Sequence, residues 1–222
     1  MPLEKGVRPL YVILDADAAA RAGWTLLALA SACLAGGAMW LQVRAKNAAS
    51  GWLLDVVAAI VERARASGAL VIVNDRADIA RVAGAGGVHV GQDDLLPAAG
   101  RAILGDSAIV GLSTHTPDQI AAALGQPIDY LAIGPVFGTS TKSTGYDAVG
   151  LDGVRKARKR LDEHVTAPHP TRLPLVAIGG ITLDTAPDLL RAGADSVAVI
   201  SDLLSTGDPE ARVRAYVDRL HV

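Results

Sequence analysis

The chain has 222 residues, half of them hydrophobic and only 4% aromatic, so its apolar content is mainly Ala, Val, Leu and Ile, as in buried parallel strands. The net charge of −2 gives no electrostatic footprint for nucleic acid, and a single cysteine, Cys33, excludes an internal disulfide and a cysteine-rich metal site. We therefore expect one domain over residues 1–222, in a reducing, cytoplasmic setting, with any anion site built locally.

Eight short apolar runs follow one another along the chain, and segments with helical spacing lie between them. The runs are residues 10–14, 38–43, 70–73, 88–90, 108–112, 130–133, 175–178 and 197–200. Alternation of strand and helix is typical of a parallel sheet, which can be an open doubly wound sheet or a closed barrel. Eight units favour the closed form, a (β/α)8 TIM barrel.

Two segments need separate interpretation. Residues 22–41 carry no charge and are long enough to raise the question of a membrane span, but they are mostly Ala and Gly. The Gly36-Gly37 pair predicts a helix followed by a strand, so we expect no membrane segment. Residues 161–173 contain Pro168 and Pro170 and predict a surface loop before the seventh strand.

Polar or glycine residues follow nearly every predicted strand at the point where the strand ends. In a (β/α)8 barrel these ends converge on one face, which predicts a single pocket there. In strand order they are Gln42, Arg44 and Lys46; Asn74 and Asp75; Asp93 and Asp94; Ser113 and His115; residues 139–142; Gly179 and Gly180; and Ser201.

The charges at these strand ends suit phosphorylated ligands. Arg44, Lys46 and Lys142 supply three cations that fit a diphosphate. Asp75 and one aspartate of the following strand supply hard oxygen ligands for Mg²⁺, whose remaining positions are filled by waters and substrate phosphates. The sequence therefore predicts a diphosphate site that contains a metal ion.

A second phosphate site is predicted beside the first. The Gly179-Gly180 pair and Ile200-Ser201 follow the seventh and eighth strands, where barrel enzymes commonly hold a monophosphate with backbone N–H groups. The pocket therefore suits two phosphorylated ligands, although both glycines also fit an ordinary tight turn.

Several of these residues also suit simpler roles. Asp75 beside Arg76 fits an exposed ion pair, and either Asp93 or Asp94 fits a helix N-cap. The face shared by residues 42, 44 and 46 is the pocket mouth or an exposed edge. His89, between two valines, fits a hydrogen-bonded interior histidine better than a catalyst, whereas His115 fits either a site or a structural position.

An ordered set of short motifs spans nearly the whole chain. They are Gln42-Val43-Arg44-Ala45-Lys46, Asn74-Asp75-Arg76, Gly87-Val88-His89-Val90-Gly91-Gln92-Asp93-Asp94-Leu95, Gly111-Leu112-Ser113-Thr114-His115, Gly134-Pro135-Val136-Phe137 with Thr139-Ser140-Thr141-Lys142, and Ala177-Ile178-Gly179-Gly180-Ile181 with Val199-Ile200-Ser201. In this order and spacing the motifs resemble the thiamine-phosphate synthase family, also called thiamine-phosphate pyrophosphorylase.

The resemblance implies a Mg²⁺-dependent transferase on a (β/α)8 barrel. Such an enzyme joins 4-amino-2-methyl-5-hydroxymethylpyrimidine diphosphate to 4-methyl-5-(2-phosphonooxyethyl)thiazole, with dissociative loss of diphosphate, and forms thiamine phosphate. The implied pyrimidine diphosphate contacts are Gln42, Arg44, Lys46, Asn74, Ser113 and Lys142, of which Arg44, Lys46, Ser113 and Lys142 are catalytic. The implied Mg²⁺ ligands are Asp75 and Asp94. The implied thiazole phosphate contacts are Thr139, Ser140, Thr141, Gly180, Ile200 and Ser201.

Two other functions remain open. Thiazole tautomerases share the barrel and the thiazole phosphate site without the full diphosphate and metal set, so the presence of Asp75, Asp94 and Lys142 favours the synthase. Ala45 stands where many members carry an acid, which leaves a non-catalytic thiamine-phosphate-binding barrel as the third hypothesis. We expect small phosphorylated substrates as partners, with no nucleic acid and no membrane. Whether the chain forms a homo-oligomer, and whether residues 138–147 close as a lid, stay open.

Overall fold

The computed structural model of the protein describes residues 8–138, 145–164 and 172–220. Within these residues, eight parallel strands close into a barrel in sequence order, with helices between them. The strands are β1 (Leu10–Asp15), β2 (Trp40–Arg44), β3 (Leu70–Asn74), β4 (Gly87–Val90), β5 (Ile109–Thr114), β6 (Tyr130–Ile133), β7 (Leu175–Ile178) and β8 (Ser196–Val199). The predicted (β/α)8 barrel is confirmed, and every predicted strand overlaps an observed one.

The helices connect successive strands and cover the barrel. They are α1 (Ala16–Arg21), α2 (Leu26–Ala35), α3 (Ser50–Arg65), α4 (Ala77–Ala83), α5 (Pro97–Leu104), α6 (Pro117–Ala123), α7 (Gly150–Glu163), α8 (Ala186–Arg191) and α9 (Pro209–Leu220), with a 3₁₀ helix at Ser201–Leu204. Alternate residues of each strand pack against this helical layer, and the others point into the barrel.

Three aromatic rings occupy the barrel interior. Tyr11 and Trp40 stack with ring centroids 3.7 Å apart, and Tyr130 meets Trp40 edge-on at 5.0 Å. All three are at most 1% exposed. The barrel is thus filled by side chains, so a ligand pocket has to lie above these rings, at the carboxyl ends of the strands.

The uncharged segment 22–41 folds as the sequence predicts. It forms α2, turns at Gly36 and Gly37, where Gly37 has a φ of 96°, and enters β2 at Trp40. Leu29 and Cys33 of α2 are buried in the outer core. Across the described ranges, no helix has both the length and the apolar character that crossing a membrane requires.

The loop predicted at residues 161–173 begins later than expected. Helix α7 continues to Glu163, and Leu161 is 2% exposed because it shares a buried face with Val154 and Ala157. The helix-breaking prolines Pro168 and Pro170 drew the predicted boundary too early. They lie within residues 165–171, which are outside the described residues.

An ion cluster ties β8 to β7 at the amino ends of the strands. The Asp195 carboxylate, just before β8, accepts a hydrogen bond from the backbone N–H of Leu175 at 2.8 Å. It also pairs with Arg158 of α7, with 3.3 Å between Nη1 and Oδ2. Both side chains are less than 10% exposed, and two further charges complete the cluster: Asp162 lies 2.7 Å from Arg158, and Arg172 pairs with Asp195.

The same arrangement recurs two strands earlier. Asp129, just before β6, accepts a hydrogen bond from the backbone N–H of Val110 at 2.8 Å and pairs with Arg101 of α5 at 2.5 Å. In each cluster an aspartate lies just before one strand, β8 or β6. It binds the preceding strand, β7 or β5, and the helix that leads into that preceding strand, α7 or α5. Residues at this end of a barrel typically serve stability.

We expect Asp195→Ala to lower the free energy of unfolding by about 3 kcal/mol, because it removes the acceptor of the Leu175 N–H and leaves Arg158 with only the exposed carboxylate of Asp162. Chemical denaturation measures this difference. The control is Glu62→Ala, which removes an exposed ion pair with Arg65 and should cost at most about 0.5 kcal/mol. Equal losses in the two variants would contradict the structural role of Asp195.

Candidate active site

Arg44 is held at the mouth of the barrel by an aspartate of the neighbouring strand. It ends β2 directly opposite Asp15, the last residue of β1, and its guanidinium donates to the Asp15 carboxylate. Asp15 is 2% exposed and also accepts a hydrogen bond from the Ala18 N–H at 2.9 Å, which caps α1. The face of β2 that carries Arg44 therefore belongs to the mouth. Sequence analysis gave Asp15 no role, although its place at a strand end was a usable signal.

Asp75 and Asp94 lie side by side after β3 and β4. Burial raises the pKa of Asp75, and the hydrogen bond and the negative charge of Asp94 raise it further, while Lys46 lowers it in part. The Lys46 ammonium lies 3.2 Å from the Asp75 carboxylate, and Asp94 accepts a hydrogen bond from the Gly91 N–H at 2.9 Å. The structure thus brings together the two predicted metal ligands and one predicted diphosphate contact.

Local backbone geometry places Asp75 at this point. Its φ is 62°, in the left-handed region, and its N–H donates to the His89 carbonyl oxygen at 2.8 Å. Such a conformation costs of the order of 1 kcal/mol for a residue other than glycine and is concentrated at functional sites. The alternative ion pair with Arg76 does not form, because Arg76 binds Asp78 of α4 at 2.6 Å.

The helix-capping alternative for the other aspartates is wrong. Helix α5 begins after Leu96, and no side chain caps it with a hydrogen bond. Asp93 is exposed, whereas the carboxylate of Asp94 turns back towards Gly91 and Asp75. Of the two aspartates, which the residue pattern alone did not distinguish, Asp94 is therefore the one that lies beside Asp75.

The carboxylate pair fits a Mg²⁺ ion that is shared with a phosphorylated ligand. Two neighbouring carboxylates repel each other, and a divalent cation between them relieves this repulsion. Within the described part of the chain, no group of three or more His, Cys, Asp or Glu side chains is placed to hold a metal ion. Mg²⁺ accepts one or two carboxylates when waters and phosphate oxygens complete its octahedron.

A chain of hydrogen bonds crosses the barrel interior beneath the mouth, and we call it the interior chain. It runs in the order Gln42, Tyr11, Tyr130, His89 and Ser113, with successive distances of 2.8, 3.0, 2.8 and 2.8 Å. The prediction that His89 is a hydrogen-bonded interior histidine is confirmed. The interior chain also links Gln42 and Ser113, two residues that the resemblance assigns to the pyrimidine diphosphate.

Tyr130 reaches across the barrel because the residue opposite it has no side chain. A Cβ atom at Gly111 would lie 2.0 Å from Cζ of Tyr130, far inside van der Waals contact. Gly111 and Tyr130 are paired in the register of β5 and β6. Sequence analysis found Gly111 only as part of a motif, because the need for it depends on a partner in another strand.

The remaining pyrimidine diphosphate candidates lie on the same rim. Asn74 ends β3 opposite His89 and is partly exposed. Ser113 is also partly exposed, and its carbonyl oxygen accepts a hydrogen bond from Gln92 at 2.6 Å. These side chains border the space above the interior chain.

The predicted monophosphate contacts follow β7 and β8. Gly180 has a φ of 64°, and a Cβ there would lie 2.6 Å from the Gly138 carbonyl oxygen, so the segment after β6 packs directly on this turn. Ile200 is partly exposed, and Ser201 begins the 3₁₀ helix. A short helix after the last strand is a common phosphate-binding element of these barrels.

Asp202 anchors that 3₁₀ helix. Its carboxylate accepts hydrogen bonds from Arg212 at 2.8 Å and from the Tyr216 hydroxyl at 2.5 Å, both on α9, and from the Leu183 N–H at 3.2 Å. Burial raises the pKa of Tyr216, and Asp202 raises it further, so the hydroxyl keeps its proton and donates. Asp202 therefore fixes both strand-end loops of the predicted phosphate site, and sequence analysis missed it.

Some predicted residues are not part of this arrangement. Thr139, Ser140, Thr141 and Lys142 lie outside the described residues, as does the centre of the lid predicted at 138–147. His115 bonds the Gly134 carbonyl oxygen and stacks on Tyr146 with centroids 4.2 Å apart. It lines a groove between α6 and α7, away from the interior chain.

Comparison with known proteins gives consistent matches over nearly the whole chain. The family described as thiamine monophosphate synthase matches residues 10–203. A thiamine-phosphate synthase of Koribacter versatilis is 43% identical over 214 residues, which cover 96% of this chain and 95% of that protein. One of Chloroflexus aurantiacus is 38% identical over 205 residues, or 92% and 89% of the two chains. The solved structure of thiamine phosphate pyrophosphorylase from Pyrococcus furiosus has a TM-score of 0.80 and 29% identity, covering 95% of this chain and 94% of that one.

We expect Gly111→Ala to destabilise the protein by about 1–3 kcal/mol, because the added methyl group displaces the Tyr130 ring from a filled interior. The control is Gly51→Ala in α3, where nothing lies within 4 Å of the added Cβ, and alanine there is neutral or stabilising. Thermal or chemical unfolding shows whether each substitution lowers or raises the free energy of unfolding. A neutral Gly111→Ala variant would contradict the close approach of Tyr130.

Proposed function

Since the chain belongs to the thiamine monophosphate synthase family, we propose that it joins 4-amino-2-methyl-5-hydroxymethylpyrimidine diphosphate to 4-methyl-5-(2-phosphonooxyethyl)thiazole. The products are thiamine phosphate and diphosphate. The observation that carries this proposal is that the Asp75–Asp94 pair, Arg44 and Lys46 at the end of β2, and the Ser113 hydroxyl meet at one mouth. A ligand that bears a diphosphate and an aromatic ring suits these groups.

In the proposed reaction the bond between the pyrimidine methylene carbon and the diphosphate oxygen breaks, and its electron pair leaves with the diphosphate. The lone pair of the thiazole nitrogen then forms the new carbon–nitrogen bond. The aminopyrimidine ring stabilises the positive charge that develops on the methylene carbon, so the loss of diphosphate is dissociative. The enzyme's task is therefore to orient the ring and to neutralise the departing charge.

Three cations serve the diphosphate in this proposal. Arg44 and Lys46 are among the described residues, and Lys142 is outside them. Arg44 offers a planar fork that Asp15 keeps oriented, whereas Lys46 acts as a point charge. The polar side chains that orient the pyrimidine are Gln42, Asn74 and Ser113. The thiazole phosphate is bound by Thr139, Ser140, Thr141, Gly180, Ile200 and Ser201.

Asp75 and Asp94 are the proposed Mg²⁺ ligands. When bound, Mg²⁺ neutralises charge on the diphosphate as it leaves. The carboxylate pair would hold the ion to which the diphosphate binds, and Lys46, 3.2 Å from Asp75, would exchange that partner for a phosphate oxygen. No side-chain nucleophile is required in this scheme.

The direct test is product formation from the two substrates, with Mg²⁺ and with EDTA. We expect thiamine phosphate only with Mg²⁺, and we expect Asp94→Asn to lower kcat/KM about 100-fold or more, since a metal ion's charge stabilisation is worth several kcal/mol. The matched control is the neighbouring Asp93→Asn, which alters an exposed carboxylate and should stay within about twofold of the parent.

Other outcomes would support the alternative functions. Isomerisation of the thiazole phosphate without Mg²⁺ or pyrimidine diphosphate would identify a tautomerase. Binding of thiamine phosphate without turnover would identify a binding barrel. Equal activity of the Asp93 and Asp94 variants would remove Asp94 from the proposed metal site.

Asp75→Asn should stabilise the metal-free protein and abolish the further stabilisation that Mg²⁺ with inorganic diphosphate gives. The folded state raises the pKa of Asp75, so its ionisation costs stability at neutral pH, and this cost disappears as the pH falls through the raised pKa. The neutral amide removes the cost at every pH. We therefore expect a higher melting temperature than the parent in EDTA, and a loss of the further rise that Mg²⁺ with inorganic diphosphate gives the parent. A lower melting temperature in EDTA would contradict this account.

A further inference from the structure

The two ends of the interior chain differ in chemistry. Gln42 ends it with an amide N–H, which can only donate, and Ser113 ends it with a hydroxyl, which can donate and accept. We infer that the interior chain has one direction, from Gln42 to Ser113, and that it turns the Ser113 hydroxyl proton towards the pocket. This inference deepens the proposed function and rests on it for the identity of the ligand above Ser113.

The direction is set at Tyr11. Its hydroxyl oxygen accepts from Nε2 of Gln42 at 2.8 Å, so the phenolic proton needs another acceptor. Among the side chains and backbone groups of the described residues, the Tyr11 hydroxyl has one further partner, the Tyr130 oxygen at 3.0 Å. Because Tyr11 is 1% exposed, a proton without an acceptor would cost about 1–3 kcal/mol. Tyr11 therefore donates to Tyr130.

The remaining bonds follow from this one. The Tyr130 oxygen receives the Tyr11 proton, so its own proton points to Nδ1 of His89 at 2.8 Å. An imidazole that accepts at Nδ1 carries its proton on Nε2, which then donates to the Ser113 oxygen at 2.8 Å. Burial raises the pKa of both tyrosines, which keeps both phenolic protons in place.

The other proton arrangements leave a buried group unpaired or require a different Gln42. A doubly protonated His89 would donate to Tyr130, whose proton would then point at Tyr11, and the Tyr11 proton would have no acceptor. If Gln42 presented Oε1 instead of Nε2 to Tyr11, every bond would reverse, and Ser113 would donate to His89. The forward and reversed chains differ in which imidazole nitrogen carries the proton.

The consequence for the ligand is a defined hydrogen-bond polarity. His89 occupies an acceptor site of the Ser113 oxygen from below, and Gln92 holds the Ser113 carbonyl oxygen at 2.6 Å. The Ser113 hydroxyl proton then points towards the bound ligand. The pyrimidine diphosphate must therefore present a hydrogen-bond acceptor to Ser113, which is either a ring nitrogen or a diphosphate oxygen. His89, Tyr130 and Tyr11 are positioning residues that act through Ser113.

The first test reads the tautomer of His89 and does not depend on activity. Protein labelled with ¹⁵N at histidine is compared by NMR with the His89→Gln variant, whose missing signals assign His89. We expect a neutral imidazole protonated at Nε2. Protonation at Nδ1, alone or together with Nε2, overturns the inference whether or not the protein makes thiamine phosphate. Lack of product with protonation at Nε2 overturns the proposed ligand and leaves the direction of the interior chain intact.

The second test separates positioning from structure by kinetics. Tyr130→Phe should raise KM for the pyrimidine diphosphate about 3- to 10-fold, the worth of one hydrogen bond, and leave KM for the thiazole phosphate within about twofold. Trp40→Phe is the control, because Trp40 packs on the same rings and its Nε1 makes no hydrogen bond within the described residues. It should lower stability and leave both KM values within about twofold.

A pair of His89 variants tests whether His89 positions Ser113 through its hydrogen bonds. In His89→Gln the amide can accept from Tyr130 and donate to Ser113, whereas His89→Met fills similar space without hydrogen bonds. We expect the Gln variant to keep a pyrimidine diphosphate KM several-fold lower than that of the Met variant. Equal KM values for the two variants, both folded by circular dichroism, would overturn the positioning role of His89.

Discussion

The interior of this barrel has to be filled, and most features of the site follow from how it is filled. Tyr11, Trp40 and Tyr130 pack against one another in a space where each ring is at most 1% exposed to solvent. The tyrosines carry hydroxyl groups into that dry space, and each hydroxyl needs a partner. The partners are polar residues one layer nearer the mouth, so the hydrogen bonds that complete the core are the same bonds that hold His89 and Ser113 beneath the pocket.

Each described cation at the mouth has a carboxylate partner before any ligand binds. Arg44 has the Asp15 carboxylate and Lys46 has that of Asp75, so neither cation stands isolated in a partly desolvated site. In the proposed reaction, a diphosphate would take Arg44 and Lys46 as partners, and Asp75 and Asp94 would hold a metal ion whose charge opposes that of the diphosphate. The ligands then replace internal partners rather than filling unpaired positions, which is consistent with a site built in a protein whose net charge is only −2.

The strands were predictable from sequence because each is a short apolar run between polar ends, and the mouth was predictable because parallel strands end on one face. The residue pattern alone did not distinguish Asp93 from Asp94, and only the family resemblance favoured Asp94; in the structure Asp94 is the one that lies beside Gly91 and Asp75. The interior chain was also hidden. Tyr11 and Tyr130 are 119 residues apart, and each reads as part of an apolar strand. The end of α7 was misjudged because prolines beyond it dominated the local pattern.

The fit between Gly111 and Tyr130 constrains how this sequence can change over evolution. Any side chain at position 111 occupies the volume of the Tyr130 ring, so substitution there is tolerated only in a background where residue 130 has already become smaller. If residue 111 changes first, the intermediate sequence has a displaced Tyr130 ring and has lost the hydrogen bond to His89. Two positions 19 residues apart along the chain are therefore expected to evolve in a fixed order, the larger residue first, and lineages that keep a tyrosine here retain glycine opposite it.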